Sequence, residues 1–306
     1  MQKNTLGSLL LTLTAMIWGT SFAFQRVGME SIEPITFTAA RMSLASLAIL
    51  AVSFLLRQKE KKTPPVRTSE EEKAYRKSTL YGGLCCGVFL TAASLFQQIG
   101  MLTTSAGKAG FITALYMLLV PVFNFVLFHK KNTLLVWFGV LVGVAGMYLL
   151  CVKEGFRLTH GDTLVCICAV LFSGHILCAD HFTRNGDPVR IAAIQSLMVF
   201  VVSAILAFFV EEPSWEKIVS AAVPILYCGV VSAGAGYTLQ LIGQKYTDPT
   251  IASLLMSLEA VFAVIAGSIL LKERMTTREA VGCVIMFAAI LLVQLPVKGK
   301  GKEAHD

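Results

Sequence analysis

"GSLLLTLTAMIWGTSFAFQRVGMESIEP" (Gly7–Pro34) and "GDTLVCICAVLFSGHILCADHFTRNGDP" (Gly161–Pro188) align without a gap at a constant offset of 154. Gly7 meets Gly161, Ala15 meets Ala169, Trp18 meets Phe172 and Pro34 meets Pro188. Further along the offset becomes 143, pairing Gln97 with Gln240, Gly100 with Gly243, Thr104 with Thr247, Leu127 with Leu270, Thr133 with Thr276 and Gly139 with Gly282. One extra-long loop in the first copy accounts for the change. The chain therefore reads as one unit written twice. A duplicated bundle of membrane helices, with a substrate site where the copies meet, is a transporter architecture.

Composition agrees. The 306 residues are 55% hydrophobic and 15% charged, with mean hydropathy +0.70, where a soluble domain carries about a quarter charged residues. Apolar stretches of about 20 residues, the length that crosses roughly 30 Å of hydrocarbon, recur at about 6–25, 34–56, 79–99, 106–128, 133–152, 161–180, 189–210, 219–242, 249–271 and 278–296. Backbone polar groups in lipid need partners within their own segment, so each is expected to be a helix. The expectation is an all-α polytopic membrane protein of ten transmembrane helices. Five spans per half means that the second half enters from the opposite side, so the repeats are inverted. We place the first at 1–152, the second at 153–297 and a charged tail at 298–306. Among small-residue spacings, Gly83-xxx-Gly87 and Gly139-xxx-Gly143 mark close helix contacts. The run Ser232–Gly236 is either packing or a loosened stretch of the eighth span that serves a moving gate.

Net charge is +7, but its distribution does not suit nucleic acid. Twelve charges lie in Arg57–Lys77, where interleaved glutamates favour a solvated loop over a polybasic lipid-binding segment. With ten spans both termini share a side. That side, with the loops after spans 2, 4, 6 and 8, carries 17 Lys/Arg; the opposite loops carry 8, and Arg41 lies within a span. The bias places both termini in the cytoplasm of a plasma membrane protein. The eight cysteines lie in or at the ends of spans with no CxxC pair, and read as small apolar residues.

Three stretches carry a family resemblance. "IWGTSFAFQRVGMESIEPITFTAARMSLASL" (Ile17–Leu47) resembles the start of an EamA domain, with Trp-Gly before Ser/Thr and then Pro-x6-Arg. "SAGKAGFITALYMLLVPVF" (Ser105–Phe123) with "WFGVLVGVAGMYLL" (Trp137–Leu150) is similar to its fourth and fifth helices. "DPTIASLLMSLEAVFAVIAGSILLKERMT" (Asp248–Thr276) is similar to its ninth. The similarity covers about residues 6–296 and implies the drug/metabolite transporter superfamily. It implies a central cavity lined by helices 1, 3, 4, 6, 8 and 9, alternating access, and export of amino acids or other small polar metabolites. Ala260 stands where the family usually has Pro, so a milder kink is expected in helix 9. Gln195 occupies in helix 7 the place Arg41 holds in helix 2, so the halves differ chemically.

Ionisable groups inside a span are costly, roughly 2.5–3.5 kcal/mol each at the bilayer centre, and invite functional readings. Glu259, half-way through helix 9, is either a protonatable carboxylate that couples transport to protons or a bonded scaffold residue. Its repeat partner is Tyr116. His175, in "LFSGHILCADH", is either a polar cavity group that protonates near neutrality or a satisfied core histidine. Asp180 and His181 belong at the membrane edge. Lys108 opens helix 4, as an attractor for a carboxylate substrate or an interfacial lysine. Arg41 is expected to snorkel to the external interface as an anchor. Gln97 and Gln240 are expected to bond each other across the repeat interface, with substrate binding as the other reading. Trp18, Ser21, Tyr116 and Tyr237 complete the cavity candidates, since a zwitterion needs hydrogen bonds at both ends and an apolar face. Trp137, Trp215 and Tyr75 are expected as interface anchors.

No cofactor or metal is called for. The partners expected are a small-molecule substrate, the lipid bilayer and protons as a coupling ion. An intramembrane enzyme is disfavoured, because HExxH and paired intramembrane aspartates are absent. A drug or lipid exporter or flippase of the same fold is the alternative.

Overall fold

The computed structural model describes residues 3–62, 67–104, 106–130, 132–151, 159–270 and 276–294. Everything regular among them is helical. Helices begin where the chain supplies their orphan N–H groups with acceptors. α7 (His160–Arg184) opens on a capping box in which Thr159 and Asp162 exchange side-chain-to-backbone bonds. α3 (Ser69–Gly100) opens likewise on Thr68 and Glu71. α8 (Pro188–Val210) and α12 (Pro249–Met256) start at Asp-Pro, the aspartate accepting from the first turn and proline sitting where no donor is needed. The remaining elements are α1 (Lys3–Gly28), α2 (Pro34–Lys62), α4 (Ala106–Ala114), α5 (Tyr116–Phe128), α6 (Leu134–Cys151), α9 (Trp215–Ser220), α10 (Ala222–Leu226), α11 (Tyr237–Gln244), α13 (Glu259–Leu270) and α14 (Thr277–Gln294).

Eight segments are long and apolar enough to cross a membrane: Asn4–Gly28, Pro34–Gln58, Ser69–Gly100, Lys108–Phe128, His160–Arg184, Pro188–Val210, Ala222–Gln244 and Pro249–Ala266. The expected fifth and tenth spans are helices too, but their apolar portions, Leu134–Leu149 and Ala280–Val293, fall short of that length. The expected ten is thus eight full-length spans and two shorter apolar helices. The expected boundary between the repeats, between residues 152 and 153, and the tail 298–306 lie outside the described residues.

Large apolar side chains such as Leu55, Leu134, Phe208 and Phe209 face outward, as expected of a surface solvated by acyl chains. With lipid on that side, helix association rests on close packing rather than on water exclusion. Glycines supply it at the helix crossings. α7 crosses α3 where a Cβ on Gly161 would stand 2.4 Å from the carbonyl oxygen of Gly100. α1 crosses α11 where a Cβ on Gly7 would stand 2.9 Å from the carbonyl oxygen of Gly243. Gly7 and Gly161 are offset by 154, Gly100 and Gly243 by 143, so the two crossings are built from repeat-equivalent residues. Gly83 and Gly87 abut Ile194 and Met198 of α8, and α6 lies along α14 through Gly139 and Gly146.

Three spans are irregular. Tyr227–Gly236 is a π-helical segment containing the Ser232–Gly236 run, and it joins α10 to α11. The wide turn leaves the Ser232 carbonyl to accept from Trp18 Nε1 at 3.2 Å. The fourth span breaks at Leu115, between α4 and α5, and the ninth at Ser257–Leu258, between α12 and α13. The two breaks correspond at offset 143. The mild kink expected from Ala260 is instead a full interruption made without proline. Ser253 and Ser257 hydroxyls bond the carbonyls of Thr250 and Leu254 three residues back, at 2.8 and 2.7 Å. Ala260 N bonds Ser257 O in the same tight i−3 pattern.

Candidate functional site

Both breaks face the centre of the bundle, where a cavity is lined by Trp18, Ser21, Phe22 and Gln25 of α1, Arg41 of α2, Gln97 of α3, Thr113 and Tyr116 of the fourth span, Phe172 and Ile176 of α7, Ser232, Tyr237 and Gln240 of the eighth span, and Glu259 of α13. Measured as the space open to the centre of a water molecule it is about 30 Å³, room for about two waters. Glu259 begins α13 and Tyr116 begins α5. Their side chains meet, with Tyr116 Oη donating to Glu259 Oε1 at 3.1 Å. Two positions that correspond between the halves are thus bonded to each other, and both side chains are buried.

Around this pair the polar groups form short chains. Gln25 Nε2 donates to Ser21 Oγ at 3.2 Å, and Arg41 Nη1 donates to Gln25 Oε1 at 3.0 Å. Arg41 is 4% exposed. Its expected snorkelling is therefore corrected: α2 turns the guanidinium inward, where Gln25 accepts from it and the Phe37 ring lies 5.9 Å from Cζ. In the second half Gln195, at the place of Arg41, is joined instead to His175, at the place of Ser21, at 3.0 Å between Nε2 and Oε1, while Ala179 stands at the place of Gln25. His175 does not line the cavity. It stands behind it, fully buried, with its ring edge-on to Phe172 and Tyr237 at 6.3 and 6.2 Å.

Gln97 and Gln240 both line the cavity but do not bond each other, contrary to expectation. Gln97 Nε2 donates to Thr113 Oγ1 at 3.1 Å, because the fourth span lies nearer to α3 than the eighth span does. Gln240 Oε1 has no partner. Trp18 packs on Tyr237 with ring centroids 5.1 Å apart, and Gly236 makes room for its indole, since a Cβ there would stand 2.6 Å from Nε1.

Lys108 is also outside the cavity. Its Nζ meets Asp162 Oδ2 at 2.5 Å. The fully buried Asp162 also accepts from Thr104 Oγ1 at 2.9 Å and Thr159 N at 2.7 Å. This knot ties the start of the fourth span to the start of α7. At the same end of the bundle, opposite the start of α1, Glu211 accepts from Ile35 N, Thr36 N and Thr36 Oγ1, and so caps α2 from the end of α8. Lys217 pairs with Glu33 and holds its carboxyl below the ordinary carboxylate value. Asp180 is buried and paired with Arg184 at 2.8 Å, while His181 is exposed. Of the expected interface anchors, Trp215 is exposed and Tyr75 lies beneath the Arg67 guanidinium at 3.7 Å.

Of the nine candidate residues, the fold brings Trp18, Ser21, Gln97, Tyr116, Tyr237, Gln240 and Glu259 to one cavity and leaves Lys108 and His175 outside it. Sequence reasoning missed Phe22, Gln25, Thr113, Phe172, Ile176 and Ser232 as lining residues and put Arg41 elsewhere. A signal existed for some. Trp18, Ser21 and Gln25 lie on one helical face at i, i+3 and i+7, and Trp18 and Phe22 correspond to Phe172 and Ile176 at offset 154.

A bundle of apolar membrane-length helices around a small polar cavity, with discontinuous helices meeting at its centre, defines an integral membrane protein of the transporter class. The EamA-like transporter family profile matches residues 5–152 and again 159–295, and the chain belongs to that family. It is similar to an uncharacterized transporter of Archaeoglobus fulgidus, 28% identical over 96% of this chain and 88% of that one. It is also similar to the uncharacterized inner membrane transporter YedA of Escherichia coli, 25% identical over 92% and 88%. A crystal structure with 18% sequence identity shares the fold at a TM-score of 0.75, over 94% of this chain and 96% of that one.

Proposed function

We propose that the protein is a secondary transporter that exports small polar metabolites, amino acids among them, by alternating access between two inverted five-helix repeats at 1–152 and 153–297. It works in the plasma membrane with both termini cytoplasmic. The observation that carries this reading is the Tyr116–Glu259 bond. A two-fold axis in the membrane plane brings repeat-equivalent residues together only near the axis, and these two, each opening a half-helix, meet in the cavity. The glycine crossings at repeat-equivalent positions lie at opposite ends of the bundle, as an inverted repeat requires.

A cavity with room for about two waters admits no metabolite, so transport needs the halves to separate. Interrupted fourth and ninth spans and a π-helical eighth supply segments that can re-pack without breaking a continuous hydrogen-bond ladder. Glu259 is the proton-coupling group in this reading. Among the described residues it is the only carboxylate lining the cavity, and protonation changes what it offers a substrate amine from a charge to a hydrogen bond. Lys108 and Asp162 serve as a tie at the external end that breaks when the cavity opens there.

An alternative export of drugs or lipids draws on a second feature, an apolar groove of about 430 Å³ between α3 and α8, lined by residues such as Val88, Leu95, Phe96, Ile99 and Met198.

The test uses purified protein in liposomes and pooled labelled amino acids and other polar metabolites, with and without an imposed pH gradient. Gradient-driven uptake is expected, and Glu259→Gln is expected to abolish it while preserving exchange. Uptake of lipid or hydrophobic probes alone would replace this reading with the alternative. An unaltered gradient response in E259Q would remove Glu259 from coupling.

A further inference from the structure

We infer that Arg41 is the specificity-determining residue of the cavity and that it takes the carboxylate of the substrate through its Nε/Nη2 edge. The inference rests on the transport reading above and names a chemical group the substrate must carry.

Arg41 is a cation inside a membrane-spanning helix with no carboxylate paired to it among the described residues. Nη1 is engaged by Gln25 Oε1 at 3.0 Å. Nε and Nη2 are buried and have no hydrogen-bond partner. A buried guanidinium with an unmet edge is costly, and in a folded protein such a group calls for an explanation. Here the unmet donors are the two that lie side by side on one edge of the planar group. That edge matches the two oxygens of a carboxylate in a pair of parallel charge-assisted bonds. Arg41 lines the cavity but this edge is closed off from it, so a cavity ligand meets the edge once the helices around it part. The opposite edge is held by the chain from Ser21 through Gln25, which fixes the plane of the guanidinium.

Charge narrows the class. The lining holds one guanidinium and one carboxylate, Glu259, and no ion pair joins them among the described residues. A zwitterion satisfies both at once, with its carboxylate on Arg41 and its ammonium on Glu259. A phosphate dianion would bring a second negative charge for which the lining has no second cation. The second half offers no equivalent seat. Gln195 stands where symmetry would place an arginine, is neutral, and is already bonded to His175. The anionic end therefore has a single place to bind, and the substrate a single orientation in an otherwise two-fold site.

The experiment uses proteoliposomes of the wild type, Arg41→Gln and Arg41→Lys, with labelled neutral amino acids as probes. Each transported amino acid is competed by its unlabelled self, by its amide and methyl ester, and by inorganic phosphate. In the wild type the free carboxylate is expected to compete roughly tenfold to a hundredfold better than the amide or ester, the effect of hydrogen bonds to a charged group. In R41Q the ratio falls to within about threefold, and R41K, which restores charge but not the fork, recovers part of it. A structural arginine would lower uptake in the variants without changing this ratio. Wild-type protein that accepts amide, ester or phosphate as readily as the free acid overturns the inference with no variant needed, and leaves transport standing. R41Q that keeps the wild-type ratio also overturns it. Wild-type protein that takes up no amino acid removes the transport reading and this inference together.

Discussion

Alanine at Gly161 tests the packing on which the bundle depends. A Cβ there would lie 2.4 Å from the backbone oxygen of Gly100, 2.4 Å from Thr103 Oγ1 and 2.6 Å from Thr104 Oγ1. The threonine hydroxyls can rotate away, but the carbonyl belongs to a helix. Ordinary contact begins near 3.4 Å, so α3 and α7 must part by about 1 Å. Overpacking of that kind costs typically 1–3 kcal/mol, and the movement also stretches the Thr104–Asp162 bond. Gly110→Ala is the matched control, because its Cβ would meet only the Phe22 ring, at 3.8 and 3.9 Å. Alanine gains at most about 1 kcal/mol in helix propensity. The gain is smaller for Gly161 in the first turn of α7 than for Gly110 within α4, so it cannot reverse the order. Equilibrium unfolding in mixed micelles is expected to place G161A about 1–3 kcal/mol below G110A, with Gly7→Ala behaving like G161A. Equal stability of G161A and G110A would mean that α3 and α7 are not in contact through these glycines, and the repeat-equivalent crossings would lose their meaning.

Two further outcomes follow from side-chain geometry. The Glu33–Lys217 pair outside the spans holds the glutamate below its ordinary pKa of 4.5 and the lysine above its ordinary 10.5. Its contribution is therefore fully present between those values. It is lost as pH falls through the depressed folded pKa of Glu33 or rises through the raised one of Lys217. The stability difference between wild type and Glu33→Gln should be constant around neutrality, shrink below pH 4.5 and diminish with added salt; a difference that persists at low pH would assign it to the helix end rather than to the ion pair. For His175 and Gln195, a double-mutant cycle with His175→Leu and Gln195→Leu should give a coupling of about 0.5–1.5 kcal/mol for the buried bond, so that the double variant loses less than the sum of the two singles. Additive losses would show that the two side chains do not depend on each other.

Class and helical content were legible in the sequence because they follow from local physics: twenty apolar residues have few ways to satisfy their backbone in lipid. The two offsets went further and paired Gly7 with Gly161, Gly100 with Gly243 and Tyr116 with Glu259, residues that meet in the structure as Gly7 with Gly243, Gly100 with Gly161 and Tyr116 with Glu259. The sequence named half of the residues that line the cavity. It misjudged the residues whose role depends on which neighbour stands beside them. Arg41 near the start of a span looks like a snorkelling cation until the fold shows that its face of α2 is turned toward Gln25 and the cavity. Gln97 found Thr113 rather than Gln240, a choice made by the distance between helices. The break in the ninth span came from serine hydroxyls competing for backbone carbonyls where the family pattern pointed to a missing proline. Lys108 met Asp162 across 54 positions of chain, a pairing that helical periodicity does not encode. Span length, amphipathic face and repeat offset are properties of a chain read one segment at a time. The partner of a buried charge, the register of a π-helical turn and the size of a cavity are set only when distant segments compete for the same few ångströms.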